Sequence, residues 1–153
     1  ENRMAAGKAT SALVEFGEKS YIPDMVNRWT NLANQFPNET QILAVTANTL
    51  VVGEHYALGI ELADRVISLE PIVGNNPRAW WVKGEALLRT ASKDDAIDAL
   101  MTAIDKGPDT QCASWSHATL AKIFHDLGDE EASKKHKQAT KGSLSAFTPG
   151  EKC

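Results

Sequence analysis

The side chains with the greatest capacity for chemistry in this 153-residue chain are its four histidines, and their spacing decides whether a metal site can form. None of them stands at the i, i+4 spacing from another histidine or a cysteine, which would bring two strong metal ligands onto one face of a helix. The four are His55, His117, His125 and His136. We therefore expect no metal site.

Nucleophilic and acid–base catalysis find no better support in the sequence. It contains no Cys-x-x-Cys motif, no phosphate-binding glycine loop and no nucleophile elbow. Cys112 and His117 could meet in space, but one cysteine and one histidine near helix ends form a chance pair far more often than a catalytic dyad. The acidic runs 94–95 and 129–131 fit turns and first helical turns, where the helix dipole favours carboxylates. We expect neither an enzyme nor a bound cofactor.

The two cysteines, Cys112 and Cys153, leave the redox state open. Free thiols in a reducing compartment are the commoner arrangement, whereas a flexible terminus would make a disulfide easy, within one chain or between two. The sequence begins at Glu1 and shows no signal peptide, which fits a processed secreted protein and a shortened chain equally. We expect an extracytoplasmic or secreted location if the cysteines are bridged, and a cytoplasmic one otherwise.

Composition narrows the class of protein and of partner. Apolar residues make up 42% of the chain and charged residues 24%, with a net charge of −4, so one globular domain is expected. No run of Lys or Arg exceeds two residues, which argues against nucleic-acid binding. The longest apolar region, 42–52, is interrupted by Thr46, Asn48 and Thr49 and is too short to span a membrane. We expect a protein partner.

The elements that position these residues are revealed by a recurring spacing. Between Pro77 and Pro108, small and large apolar residues are spaced as two short helices joined by a turn. About 37 residues earlier and later, equivalent positions carry similar residues. The matched positions are Gly84, Leu87, Ala96, Leu100, Ala103 and Pro108 in the central unit, Ala47, Leu50 and Pro71 before it, and Ala121 and Phe124 after it. A fixed period of this size predicts an all-α solenoid of antiparallel helix pairs.

The period divides residues 1–142 into four units of one domain, followed by an extended tail at 143–153. The units are about 6–39, 40–76, 77–113 and 114–142. We expect Pro71 to end the second helix of the second unit, and residues 92–95 to form a polar break within the third unit. The first unit is the weakest, because its helix over 4–16 is out of register with the others. By their spacing, Trp29 and Trp80 are core residues.

The pattern resembles the tetratricopeptide repeat over roughly residues 6 to 142. A large residue early in the first helix, a small residue a turn later, a small residue opening the second helix and a closing proline are all present in the central unit. The residues that carry the resemblance there are Trp80, Gly84, Leu87, Ala96, Leu100, Ala103 and Pro108. The resemblance implies a right-handed superhelical solenoid.

The resemblance also implies a concave face, lined by the first helix of each unit, on which ligands bind. The implied lining residues are Ala44, Asn48, Val51 and Val52, then Arg78, Trp81, Glu85, Leu88 and Arg89, then Trp115, Ala118, Lys122, His125 and Asp126. Trp81 and Trp115 are expected to be neighbours. Family members that bind a carboxylate-ended peptide use a cluster of Lys, Arg and Asn on this face. In this chain Asn48, Arg78, Arg89 and Lys122 lie among aromatic and aliphatic residues, so the groove suits an apolar peptide or helix. The alternative is that Trp81 is a structural residue.

The ends of the solenoid suggest a second function, because each unit buries its apolar face only against the next. The fourth unit is expected to end near Thr140, which leaves no length for a capping helix. The last apolar face, which includes Ala118 and Ala132, would then need a cover: the tail, a different protein, or another copy. In the last case Cys153 could reach a neighbour's Cys112. The residues expected to mediate self-association are Ala5, Ala9, Ala12, Phe124, Ala139, Leu144 and Phe147.

Head-to-tail stacking into an oligomer or filament is therefore the first functional hypothesis. An adaptor that binds an apolar peptide or helix of another protein in its groove is the alternative. Both hypotheses describe a non-enzymatic scaffold with protein partners.

Overall fold

The computed structural model describes residues 21–146 and Cys153, with side chains described for 21–140 and Cys153. In this part of the chain every regular element is a helix. The helices are α1 (Ile22–Gln35), α2 (Thr40–Val52), α3 (Tyr56–Val73), α4 (Pro77–Thr90), α5 (Lys93–Lys106), α6 (Gln111–Asp126) and α7 (Glu130–Ala146). The helix predicted over 4–16 lies outside the described residues.

Three antiparallel hairpins stack in series. The hairpins are α2 with α3, α4 with α5, and α6 with α7, and each packs on the one before it. The first helices of the hairpins, α2, α4 and α6, also contact one another in order, so they form an inner layer. This arrangement confirms the predicted helical solenoid. None of the described helices combines the length and the apolar character needed to cross a membrane.

Side-chain caps set where the later helices begin. Asn76 caps α4 by accepting a hydrogen bond from the Ala79 amide at 3.1 Å, and Pro77 occupies the first helical turn, where no N–H is needed. Ser92 caps α5 in the same way, accepting from the Asp95 amide at 3.1 Å. The predicted polar break at 92–95 is therefore mostly the first turn of α5.

Two helices continue past the ends predicted for them. Pro71 was expected to end α3, but the helix runs on to Val73, because a proline near the last turn removes only one hydrogen bond. Gly74 ends it instead, with a φ of 95° that favours glycine, and its N–H donates to the Glu70 carbonyl at 2.8 Å. The last helix, α7, passes through Gly142 to Ala146, so the predicted tail at 143–153 begins with a turn of helix.

The core lies between the two helical layers and is larger in the first half of the solenoid. Trp29 is 2% exposed within it, as predicted. Trp80 is only half-buried, so its assignment to the core was wrong; its indole N–H donates to the Glu70 carboxylate at 2.7 Å at the seam between two units. Close helix contact explains the small residue at Gly84, where a Cβ would lie 2.7 Å from Leu100 Cγ.

Candidate binding groove

The inner helices form a groove made of two adjoining cavities of about 310 and 480 Å³. Both cavities share a wall from α2 and α4, and α6 closes the far side of the larger one. The shared residues are Asn48, Val52, Trp81 and Glu85. The larger cavity adds Trp115, Ala118 and Thr119, and the smaller adds Val51, Glu54, Tyr56, Val82 and Arg89. Most of these positions were assigned to the concave face from the sequence.

Two tryptophans from neighbouring units lie together in this groove. The ring centroids of Trp81 and Trp115 are 4.6 Å apart with the planes tilted by 40°, so the predicted proximity is confirmed. Both side chains are half-buried. Trp81 also packs on the apolar core at its base, while its buried indole N–H has no hydrogen-bond partner among the described residues. Trp81 therefore combines a structural role with an exposed face and an unused donor.

Polar groups join the walls of the groove. Glu85 of α4 accepts a hydrogen bond from the Thr119 hydroxyl of α6 at 2.5 Å. Its other carboxylate oxygen pairs with Arg89 Nη1 at 3.3 Å, one helical turn along. Asn48, only 3% exposed, brings an amide to both cavities. The groove is thus aromatic and aliphatic, with a few fixed polar groups.

Several residues that the sequence assigned to the groove lie elsewhere. The Arg78 guanidinium donates to the Cys153 carbonyl at 3.1 Å, because its position at the start of α4 directs the side chain toward the helix N-terminus. Leu88 packs against the apolar cluster beneath α6, and Ala44 is fully buried in the core. Lys122 is exposed outside the cavity lining. His125 contacts Glu130 at 2.7 Å across the turn before α7, and Asp126 is exposed beside it.

The groove residues that sequence reasoning missed are Glu54, Tyr56, Val82 and Thr119. Thr119 lies one turn after Trp115 on the same face of α6, a signal that the i, i+4 rule provides. Glu54 and Tyr56 come from the turn into α3, where helical periodicity gives no information. Val82, next to Trp81, is 1% exposed and forms the floor rather than the wall.

The residues assigned to self-association are described only in part. Ala5, Ala9, Ala12 and Phe147 lie outside the described residues; Leu144 lies in α7, but its side chain is not described. Phe124 is half-buried and stacks on His136 with ring centroids 5.5 Å apart, and Ala139 is half-buried. On the described part of α7 the outward residues are polar and charged: Lys134, Lys135, Lys137 and Gln138 are exposed. Ala118 lines the groove rather than the last face.

Two histidines meet between α6 and α7. His117 Nδ1 and His136 Nδ1 are 2.9 Å apart, so one ring donates a hydrogen bond to the other. Burial lowers the pKa of His117, with a further contribution from His136; burial also lowers the pKa of His136, with a contribution from Lys135. Among the residues that the structure describes, no three His, Cys, Asp or Glu side chains are grouped as metal ligands.

The two cysteines of the chain form a disulfide with each other. Cys112 and Cys153 have Cα atoms 5.2 Å apart, and Cys112 is fully buried. Of the alternatives that the sequence left open, the structure contains the bridge within one chain. The distance along the chain from residue 112 to 153 is too great for a helical period to reveal the contact.

Comparison with known proteins supports the fold alone. No protein-family profile and no curated protein matches the chain. Three solved structures of MamA are similar to it. One comprises residues 41 to the end of MamA from Desulfovibrio magneticus RS-1, with a TM-score of 0.68, 17% identity, and coverage of 94% of this chain and 76% of that one.

The other two are MamA from MSR-1 and from AMB-1. Their TM-scores are 0.62 and 0.63, each at 20% identity, and they cover 89% and 90% of this chain and 73% and 76% of their own. At such identities the likeness identifies architecture rather than activity. The chain has the fold of a tetratricopeptide-type helical solenoid.

Proposed function

We propose that this chain is a non-enzymatic protein-interaction scaffold that binds an apolar peptide or helix of another protein in the groove between α2, α4 and α6. The observation that carries the proposal is the Trp81–Trp115 pair, which presents aromatic surface to a cavity of about 480 Å³. Tryptophan is among the residues most enriched at binding hot spots, because it supplies a large contact area with few rotatable bonds.

The polar groups of the groove support a peptide rather than a small charged ligand. Glu85 accepts from Thr119, and Arg89 donates to the Glu85 backbone carbonyl at 2.9 Å and pairs with its carboxylate at 3.3 Å, so the two opposite charges are paired with each other. Asn48 offers a neutral hydrogen-bonding group beside apolar walls. Such a surface suits a segment whose apolar side chains enter the groove while backbone or neutral polar groups face Asn48.

Selection from a random peptide library on the immobilised oxidised protein provides a defined probe. For the strongest selected peptide, we expect Trp115→Ala to weaken binding by about tenfold or more, as is usual for an aromatic hot spot. Lys122→Ala is the matched control, because Lys122 lies on the same helix but outside the lining, and we expect affinity within about twofold of the wild type.

Failure to select any peptide, or equal affinity of the wild type and Trp115→Ala for the selected one, would count against the groove. A large fall in the melting temperature of Trp115→Ala would instead assign the ring to the core. Light scattering across a concentration series tests self-association. If the selected peptide disperses an assembly, a second copy of the chain occupies the groove. If the peptide leaves the assembly intact, stacking of the solenoid ends becomes the favoured hypothesis.

We also propose that the chain works in an oxidising compartment outside the cytoplasm. The intrachain disulfide supports this proposal, since disulfides rarely persist where cellular thiols keep cysteines reduced. Lysis of the source cells in denaturant with an alkylating reagent, followed by mass spectrometry, should find Cys112 and Cys153 unmodified. Alkylated Cys112 would indicate a reducing location.

A further inference from the structure

The fourth unit of the solenoid packs on the third less extensively than the third packs on the second. Its last helix, α7, packs on α6 and makes no comparable contact with another described helix. The buried apolar cluster beneath α6 has three members, whereas the cluster that joins the earlier units has twelve. The three are Leu100, Leu120 and Ile123. This unit nevertheless supplies one wall of the groove.

The Cys112–Cys153 bond lies within this weakly attached unit, and its Cys153 end also reaches the third unit. It closes residues 112–153 into one covalent ring that contains nearly the whole of α6 and α7. The carbonyl oxygen of Cys153 accepts a hydrogen bond from Arg78 Nε at 3.1 Å. Because Arg78 belongs to α4, the closing point of the ring is tied to the third unit as well as to the fourth.

The closing point lies next to the groove residues on α6. Cys112 is the second residue of α6, and Trp115 follows within one helical turn, with Thr119 one turn beyond. The Trp81–Trp115 contact and the Glu85–Thr119 hydrogen bond both depend on how α6 sits against α4. Any loosening at Cys112 therefore acts first on the groove side chains of the fourth unit.

We propose that the Cys112–Cys153 bond is a redox switch on the groove: closed, it holds α6 against α4, and reduced, it loosens the fourth unit and weakens binding. The part of this proposal that concerns binding rests on the function proposed above. The part that concerns the fourth unit stands independently of any ligand.

The chemistry requires a thiol reductant as co-reactant. Because Cys112 is fully buried, the reductant thiolate attacks Cys153 Sγ, the S–S bond breaks, and Cys112 leaves as a thiolate that takes a proton. A second thiol then releases Cys153 from the mixed disulfide. The protein gains two electrons and two protons, and the reductant is oxidised to its own disulfide. A small-molecule disulfide reverses both steps.

Hydrogen–deuterium exchange of the full chain, with and without dithiothreitol, tests the switch directly. We expect reduction to speed amide exchange by about tenfold or more in peptides from α6 and α7, and to leave α2 and α3 within about twofold. Cys153→Ser should show the faster pattern without reductant and no further response to it. Unchanged exchange in α6 and α7, or equal acceleration in all helices, would overturn the proposal, and the reduced wild type decides the matter even if the variant folds poorly.

The binding arm uses the library-selected peptide as its probe. Reduction should weaken the affinity of the wild type by about tenfold, while Cys153→Ser should bind weakly in both conditions. Equal affinity before and after reduction, together with faster exchange in α6 and α7, would refute control of the groove while leaving the function proposed above intact. If no peptide is selected, that function fails, and the exchange data alone decide whether the fourth unit is redox-sensitive.

Discussion

The seam between the second and third units and the seam between the third and fourth use the same hairpin geometry but different forces. The first seam is part of a twelve-member apolar cluster that extends from α1 to α4, and it adds a polar hub at Glu70. There the Glu70 carboxylate accepts hydrogen bonds from the Trp80 indole N–H at 2.7 Å and from the backbone N–H of Asn76 at 3.3 Å. It also pairs with the Lys106 ammonium group at 2.8 Å. The second seam has a three-member apolar cluster and the Glu85–Thr119 hydrogen bond, and the fourth unit beyond it contains a histidine pair and a disulfide.

This difference shows how a short solenoid distributes its stability. In a repeat array, stability is approximately the sum of the stability of each unit and of each interface between neighbours. The fourth unit here is held together internally by a disulfide and a histidine pair, whereas the seam between the second and third units combines apolar burial with the Glu70 hub.

The largest expected effect on stability comes from truncating one fully buried leucine in each apolar cluster. Leu43 and Leu120 are both fully buried, one in each cluster. We expect Leu43→Ala to lower the free energy of unfolding by about 4 kcal/mol and Leu120→Ala by about 2.5, because half-buried neighbours can move into the smaller site. Urea unfolding of the oxidised proteins measures both. Equal losses, or a greater loss at Leu120, would remove the contrast between the seams.

A smaller loss is expected from the polar hub. Replacing Glu70 with alanine leaves the Trp80 indole and Lys106 without their acceptor, and we expect a cost of about 2 kcal/mol. Asp64→Ala is the matched control, since Asp64 also lies on α3 and pairs with Lys83 of α4 at 2.6 Å, but is half exposed. Its expected cost is about 0.5 kcal/mol or less. Similar unfolding free energies for the two variants would show that the hub adds nothing beyond a surface ion pair.

The smallest effect is a dependence of stability on pH within the fourth unit, where His117 and His136 meet. The folded chain holds the pKa of His117 and His136 below their ordinary value, so in acid the unfolded chain takes up protons that the folded chain does not. Stability should be highest above about pH 6.5 and should fall as the pH drops through that value.

The test compares unfolding at pH 7.5 and pH 5.5. We expect His136→Gln to reduce the difference in stability between the two conditions. An undiminished difference in His136→Gln would assign the pH dependence to other groups.

Local spacing predicted the three hairpins and the aromatic groove, but not what stabilises the seams. The positions of Trp81 and Trp115 follow from the period of the repeat, because equivalent helices stack in register. Glu70 and Lys106 pair across 36 residues, and Arg78 reaches Cys153 across 75, so no helical period can report either contact. Trp80 was misassigned for a related reason, since periodicity gives the face of a helix but not how completely a neighbouring unit covers it.

The covalent ring around the fourth unit also has a consequence for the order in which the protein is made. During synthesis the disulfide cannot form until residue 153 has been added, by which time the second and third units are complete and can already fold. The α6–α7 hairpin must therefore wait for its closure after its own residues have emerged. At that stage a nascent chain would have folded second and third units but no disulfide in the fourth. The supply of an oxidant would then set the time at which α6, one wall of the groove, is fixed by the Cys112–Cys153 bond.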